Sequence, residues 1–110
     1  MVSDQSTVDF IIEQMSHTGE ARARKMFGEY GVYFGEKFVG IISDDQLYLK
    51  ITEPGRALLP EAEEGAPYDG AKPHLMVSAD VIEDGDRLRE VARATADSLP
   101  APKPKKVKRA

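Results

Sequence analysis

Cysteine and tryptophan are both absent from the 110 residues. Without thiols the chain has no disulfide, no thiolate metal site and no cysteine nucleophile, although this does not identify the compartment. Histidine occurs only at His17 and His74, far apart and in neither an H-x-x-x-H nor an H-E-x-x-H spacing. A metal centre would need both, with carboxylates brought in by the fold, so none is expected. Aromatics make up only 7% of residues. Long hydrophobic runs are missing too: nothing approaches the ~20 apolar residues that span a bilayer. The opening Met1-Val2-Ser3-Asp4-Gln5 lacks the basic stretch of a signal peptide. The expectation is a soluble, cytoplasmic protein with no membrane contact.

Charge is present in quantity, and it is divided. The formal net charge is -4. The first hundred residues hold nineteen acids against ten bases, or −9, while the last ten hold five bases and no acid. Length and a 41% hydrophobic content fit one domain with a modest core. We therefore expect a folded domain over 1–100 and a disordered basic Pro/Lys tail over 101–110.

Periodicity gives the order of elements. Val8, Ile11, Ile12 and Met15 recur at i, i+3, i+4 and i+7 and predict an amphipathic helix, with Ser3 or Ser6 as cap and Gly19 as stop. Short β-rich pieces follow. Met26-Phe27 is a first strand, Val32–Phe34 meets a turn at Gly35-Glu36, and Phe38–Ile42 runs into Asp44-Asp45. Leu47, Leu49 and Ile51 then alternate with Tyr48 and Lys50, which gives one apolar and one wet face. Thr52–Arg56 predicts a short helix with Pro54 in its first turn, and Glu61 to Gly70 predicts a loop. Leu75–Val77 is another strand. Asp84-Gly85-Asp86 opens a last helix, with Leu88, Val91, Ala92, Thr95 and Leu99 inward and Pro100 as its end. The order is αββββαβα. A meander with one apolar face must be covered by helices, which predicts an α+β two-layer sandwich.

Candidate chemistry is sparse. Gly28, Gly31 and Gly35 match neither G-x-G-x-x-G nor a P-loop, and strands follow them where a nucleotide loop needs a helix. Asp84-Gly85-Asp86 lacks the other ligands of a calcium loop, so helix capping explains it better. The acid pairs Asp44-Asp45 and Glu63-Glu64 fall in predicted turns, where solvation leaves nothing to raise a pKa. None of the six serines sits in a G-x-S-x-G elbow. The reading is not an enzyme, with no catalytic residues and no cofactor.

Within the aromatic group Phe27, Tyr30, Tyr33, Phe34, Phe38 and Tyr48, core packing is expected for most of the phenylalanines. A sheet displaying aromatics can also stack bases, given cations on the same face. Residues 26–49 offer only Lys37 against Glu29, Glu36, Asp44 and Asp45, which argues against that mode. The tail cations Lys103, Lys105, Lys106, Lys108 and Arg109 could meet nucleic acid or an acidic partner. With all five on phosphates the salt slope would be about −3.5 to −4.5, a weak binding without sequence preference. A solubilising terminus explains them equally well.

Arg24-Lys25-Met26-Phe27-Gly28-Glu29-Tyr30-Gly31-Val32-Tyr33 resembles the opening signature of the TfoX/Sxy N-terminal domain family. The likeness continues through Val39–Ile42, Asp45–Lys50, Thr52-Glu53, Gly55-Arg56, Pro67-Tyr68 and Gly70–Pro73, and on to Thr95–Pro100 and the Pro-Lys repeats of small single-domain members. It spans roughly residues 7–105. The resemblance implies a two-layer domain of the secretion-chaperone-like type, often dimeric. It also implies a role in bacterial natural competence, where the founding members act with the cyclic-AMP receptor protein as coactivators. Those regulators continue into a second, helical domain that has no counterpart in this sequence.

Two readings of function follow. The first is a non-enzymatic protein-interaction module in transcriptional, competence-type regulation. Its partner would be part of the transcription machinery or a regulator, a homodimer is possible, and nucleic acid would be met only weakly and through the tail. The second is a small-ligand module with Lys25, Tyr30, Tyr68 and Lys72 as polar groups. These lie beside glycines or a proline, and their simpler role is to anchor turns. With Glu29 they make up the candidate interaction residues.

Overall fold

The computed structural model describes residues 3–16, 19–26 and 28–100. His17, Phe27 and all five tail cations lie outside the described residues. Helix α1, Gln5–Met15, leads into strands β1 (Ala21–Met26), β2 (Glu29–Phe34), β3 (Lys37–Ser43) and β4 (Gln46–Leu49). Then come α2 (Glu53–Leu58), β5 (Glu64–Gly65), β6 (His74–Val77), α3 (Ala79–Glu83) and α4 (Gly85–Ser98). The six strands form one antiparallel sheet in the order β1-β2-β3-β4-β6-β5. All helices described pack on one side of it, so the protein is an α+β two-layer sandwich.

The observed order differs from αββββαβα at two places. The acidic stretch after Pro60 contains the two-residue strand β5, too short to show a period. A one-and-a-half-turn helix, α3, precedes α4, and Asp84 separates them with backbone angles φ -91 and ψ 84. The Asp84 carboxylate then caps α4 by accepting from the Arg87 N–H at 3.3 Å. At α1 neither Ser3 nor Ser6 is the cap: Asp4 holds that position without a side-chain bond, and Ser16 ends the helix. The short helix expected from Thr52 forms as α2, and Thr52 caps it, accepting from the Gly55 N–H at 3.1 Å.

The core lies between the layers. Val8, Ile11 and Met15 of α1 and Leu88, Val91 and Ala92 of α4 meet Val32, Val39, Ile42, Leu47, Leu49, Leu75 and Val77 of the sheet. Each fully buried aliphatic side chain stabilises the fold by about 1.5–3 kcal/mol. Cross-layer polar bonds keep the register: the Gln14 Nε2 donates to the Ile82 carbonyl oxygen at 2.8 Å, and the Lys37 Nζ to that of Ala96 at 2.9 Å.

Candidate functional site

The second face of the sheet carries no helix among the described residues, and a phase shift decides what it displays. Tyr33 pairs with Phe38 and Val32 with Gly40, so Val39 is an extra residue in β3, a β-bulge. Strict alternation would put Phe38 and Ile41 on opposite faces. The bulge turns both outward and leaves Val39 and Ile42 buried at 0% exposure. Tyr48 stands opposite Ile41, and Met76 opposite Tyr48. Met26 reaches over Gly31 toward Phe38: a Cβ on Gly31 would lie 2.8 Å from the Met26 Cε and 2.9 Å from the Phe38 ring. Met26, Tyr33, Phe38, Ile41, Tyr48 and Met76 are all half-buried, and together they form a continuous apolar and aromatic surface.

Cations border it. In β1 the alternation Ala21-Arg22-Ala23-Arg24 buries the alanine side and exposes both arginines, so Arg22 and Arg24 stand on the open face. The Arg22 guanidinium lies 5.1 Å from the Tyr33 ring centroid, and its Nη1 donates to the Gly35 carbonyl oxygen at 2.6 Å. Tyr33 and Phe38 tilt against each other at 5.2 Å. The Lys50 Nζ sits 4.9 Å from the Phe38 centroid. Arg22, Tyr33, Phe38 and Lys50 therefore make a cation–aromatic–aromatic–cation ladder across the strands. Lys37, the only cation that residues 26–49 contribute, points to the helices.

Acids gather at the sheet's end. Asp44 and Asp45, both with positive φ (54 and 63), form the β3–β4 turn. Glu29 accepts from the Asp44 N–H at 2.9 Å, from the Ser3 hydroxyl at 2.8 Å and from the Ser3 N–H at 3.1 Å. The Ser3 Oγ accepts from the Asp45 N–H at 2.8 Å. Burial pushes the Glu29 carboxyl up, but these donors outweigh it and hold its pKa below the usual value.

A cleft of about 380 Å³ opens beside this turn, lined by Met26, Glu29, Tyr30, Ile41, Ser43, Pro67 and Tyr68. It brings together three of the residues singled out from the sequence, Glu29, Tyr30 and Tyr68. Tyr68 is 59% exposed, whereas Tyr30 is 7% exposed and its hydroxyl donates to the Gln5 Oε1 at 3.1 Å. Tyr30 is thus not the surface group its neighbouring glycine suggests. Lys25 is exposed at the edge of β1, in a groove against α1 with Gln5, Asp9 and Glu13. Lys72 is exposed in the loop before β6 and offers its carbonyl oxygen to the His74 Nδ1 at 2.8 Å. Sequence reading passed over Arg22, Arg24, Lys50 and Met76. The alternation of alanine with arginine over 21–24 was the signal for the first pair. Among the described residues no three His, Asp or Glu side chains are placed to hold a metal ion, and no helix is long and apolar enough to cross a membrane.

The architecture is a small two-layer domain whose sheet is armoured on one side and open on the other. The TfoX N-terminal domain model matches residues 13–99, and the chain belongs to that family. It is also similar to a Spirochaeta aurantia chain described as an uncharacterized 12.7 kDa protein in the trpE 5′ region, at 42% identity over 108 residues, covering 98% of this chain and 93% of that one.

Proposed function

We propose that this protein is a non-catalytic, cytoplasmic interaction module of transcriptional, competence-type regulation, and that it engages its macromolecular partner through the face of its sheet that no described helix covers. The observation that carries this reading is the row Met26, Tyr33, Phe38, Ile41, Tyr48 and Met76, half-buried on a face with no covering helix among the described residues. Apolar surface of this kind on a folded domain marks a contact site. Membership of the TfoX N-terminal domain family supports the regulatory part. The test is transcript profiling of a deletion strain of the source organism, complemented by the wild-type chain or by Tyr48→Ala. The wild type restores the altered transcripts and the variant does not. Restoration by both, or no altered transcript at all, removes the proposal.

The cleft supports a second reading, a small-ligand module. Its lining combines the apolar Met26, Ile41 and Pro67 with the polar Glu29, Ser43 and Tyr68, a composition suited to a small amphipathic molecule. Thermal-shift screening with nucleotides and metabolites tests it: a saturable shift that Tyr68→Ala abolishes is expected, and no shift across a broad collection sinks it.

A further inference from the structure

Charges counted along residues 26–49 disfavour nucleic acid on this sheet, and the fold redistributes them. Lys37 leaves for the helix side. Arg22, Arg24 and Lys50, all outside that window, arrive on the open face. The acids of residues 26–49 withdraw to the strand ends, Glu36 to the β2–β3 turn and Asp44 and Asp45 to the next, with Glu29 bonded there, and Glu63 lies at the far edge opposite Met76. A chain that is acidic overall thus places three cations, Arg22, Arg24 and Lys50, on a face studded with rings.

We propose that this face binds single-stranded nucleic acid, with bases stacking on Tyr48 and on the Tyr33–Phe38 pair and backbone phosphates meeting Arg22, Arg24 and Lys50. The inference rests on the reading of the open face as the interaction surface and names its partner. Two features carry it. Charge complementarity is the first, because Arg22, Arg24 and Lys50 have no acid paired with them among the described residues, and an anionic occupant would supply it. A second copy docked face to face would instead bring two sets of Arg22, Arg24 and Lys50 into one interface, and Glu29, the acid nearest the β1–β3 end of this face, is already engaged by Ser3 and Asp44. Dimension is the second. From β1 to β4 the face crosses three inter-strand steps of about 4.8 Å, roughly 14 Å. Four-stranded sheets with aromatics on one face stack two or three bases over such a width. Duplex DNA suits the face less, since its bases are already stacked and hidden. Arg22 and Lys50 lie over rings in the free protein, and a guanidinium plane is itself a stacking platform.

The tail cations would mask the effect, so binding is measured on the full chain with Lys103, Lys105, Lys106, Lys108 and Arg109 all replaced by Gln. Fluorescence anisotropy with labelled oligouridine, oligothymidine and a duplex of equal length, about ten nucleotides, is the readout. Both single strands are expected to bind at least about tenfold more tightly than duplex. Their affinity should fall about twentyfold between about 50 and about 200 mM salt, as three phosphate contacts on a single strand require. Tyr48→Ala and Arg24→Ala should each weaken binding about tenfold while the melting transition stays in place. A preference for oligouridine over oligothymidine would name RNA as the source, and the reverse DNA. Binding absent at about 100 μM protein, equal for duplex and single strand, or unmoved by both face variants overturns the proposal. So does a dimer by sedimentation that Tyr48→Ala dissolves and oligonucleotide leaves intact. If Tyr48→Ala fails to complement in cells yet no oligonucleotide binds, the partner is wrong and the surface reading stands, the occupant then being a protein. If it complements, both fall.

Discussion

Gly40 faces the main chain of Tyr48 so closely that a Cβ there would overlap the Tyr48 carbonyl oxygen and crowd the Leu49 Cα at 3.1 Å. The contact lies beside the bulge at Val39, whose carbonyl oxygen accepts from the Lys50 N–H at 2.8 Å. Any side chain at position 40 would have to push β4 away from β3. Gly40→Ala is therefore expected to cost about 3 kcal/mol, the upper range for overpacking a well-filled site. Urea denaturation measures it. A cost below about 0.5 kcal/mol would mean that the strands give way without strain.

The Glu29 cluster makes a pH-dependent contribution whose sign is set. A carboxyl with a folded pKa below its unfolded one stabilises the native state above the unfolded value, about 4.3. That stability is lost as pH falls through the folded value. Glu29→Gln removes the charge from three donated hydrogen bonds at a half-buried site, so a loss of about 1 kcal/mol near neutral pH is expected. The gap between wild type and variant should narrow below about pH 4.3 and close once the carboxylate protonates. Denaturant melts across the acid range test this, and a gap that stays constant with pH would show that the charge of Glu29 plays no part.

How much of this was legible in the sequence depended on how far each signal reached. The helical stripe of Val8, Ile11 and Met15 is local and formed as its period dictates, and the alternation held for Leu47 and Leu49 but not for Ile51, which lies beyond β4 and is exposed. The cap by Asp84 is a three-residue signal and was equally readable, whereas the serines near α1 misled, because Asp4 holds the cap position there. The bulge at Val39 depends on pairing with β2 and on the closeness of Tyr48, neither of which marks the Phe38–Ile42 run. For the candidate site, Glu29 and Tyr68 could be picked out beside Gly28 and Pro67, and the fold brings both to one cleft. The open face could not be assembled, because Arg22, Phe38, Lys50 and Met76 come from four separate segments. Counting charge along a window treats neighbours in sequence as neighbours in space, which a six-stranded sheet does not respect.

Where α2 crosses α4, the Thr95 hydroxyl is buried at 0% residue exposure and has no hydrogen-bond partner among the described residues. It faces Gly55, whose Cβ site lies 2.9 Å from the Thr95 Oγ1. A buried hydroxyl left unpaired carries its desolvation cost with no return. Thr95→Val, of the same shape without the polar atom, is expected to stabilise the fold by about 1 kcal/mol, or to raise the melting temperature by about 4–8 °C. Calorimetry decides the point, with Thr95→Ser as the control that keeps the hydroxyl and loses the methyl group. If Thr95→Val melts lower than the wild type, the hydroxyl has a partner in solution.

The ladder from Arg22 to Lys50 makes a last prediction, which separates packing from electrostatics. Arg22 has two attachments, the Tyr33 ring and the Gly35 carbonyl oxygen, so a single deletion cannot say which one holds it. A double-mutant cycle can. Arg22→Ala, Tyr33→Leu and the combined variant should show a coupling of about 0.5–1 kcal/mol, the range for an exposed cation over a ring. Arg22→Lys, which keeps charge but loses the flat guanidinium, should retain only part of it. The same cycle on Lys50 and Phe38 should give a similar value, because the Nζ–centroid distance is alike at 4.9 Å. Coupling at both ends means that the cations are held over the rings before any partner arrives, so binding loses less side-chain freedom. Zero coupling at Arg22 would leave the Gly35 bond as its only anchor and place the guanidinium on the face by backbone geometry alone.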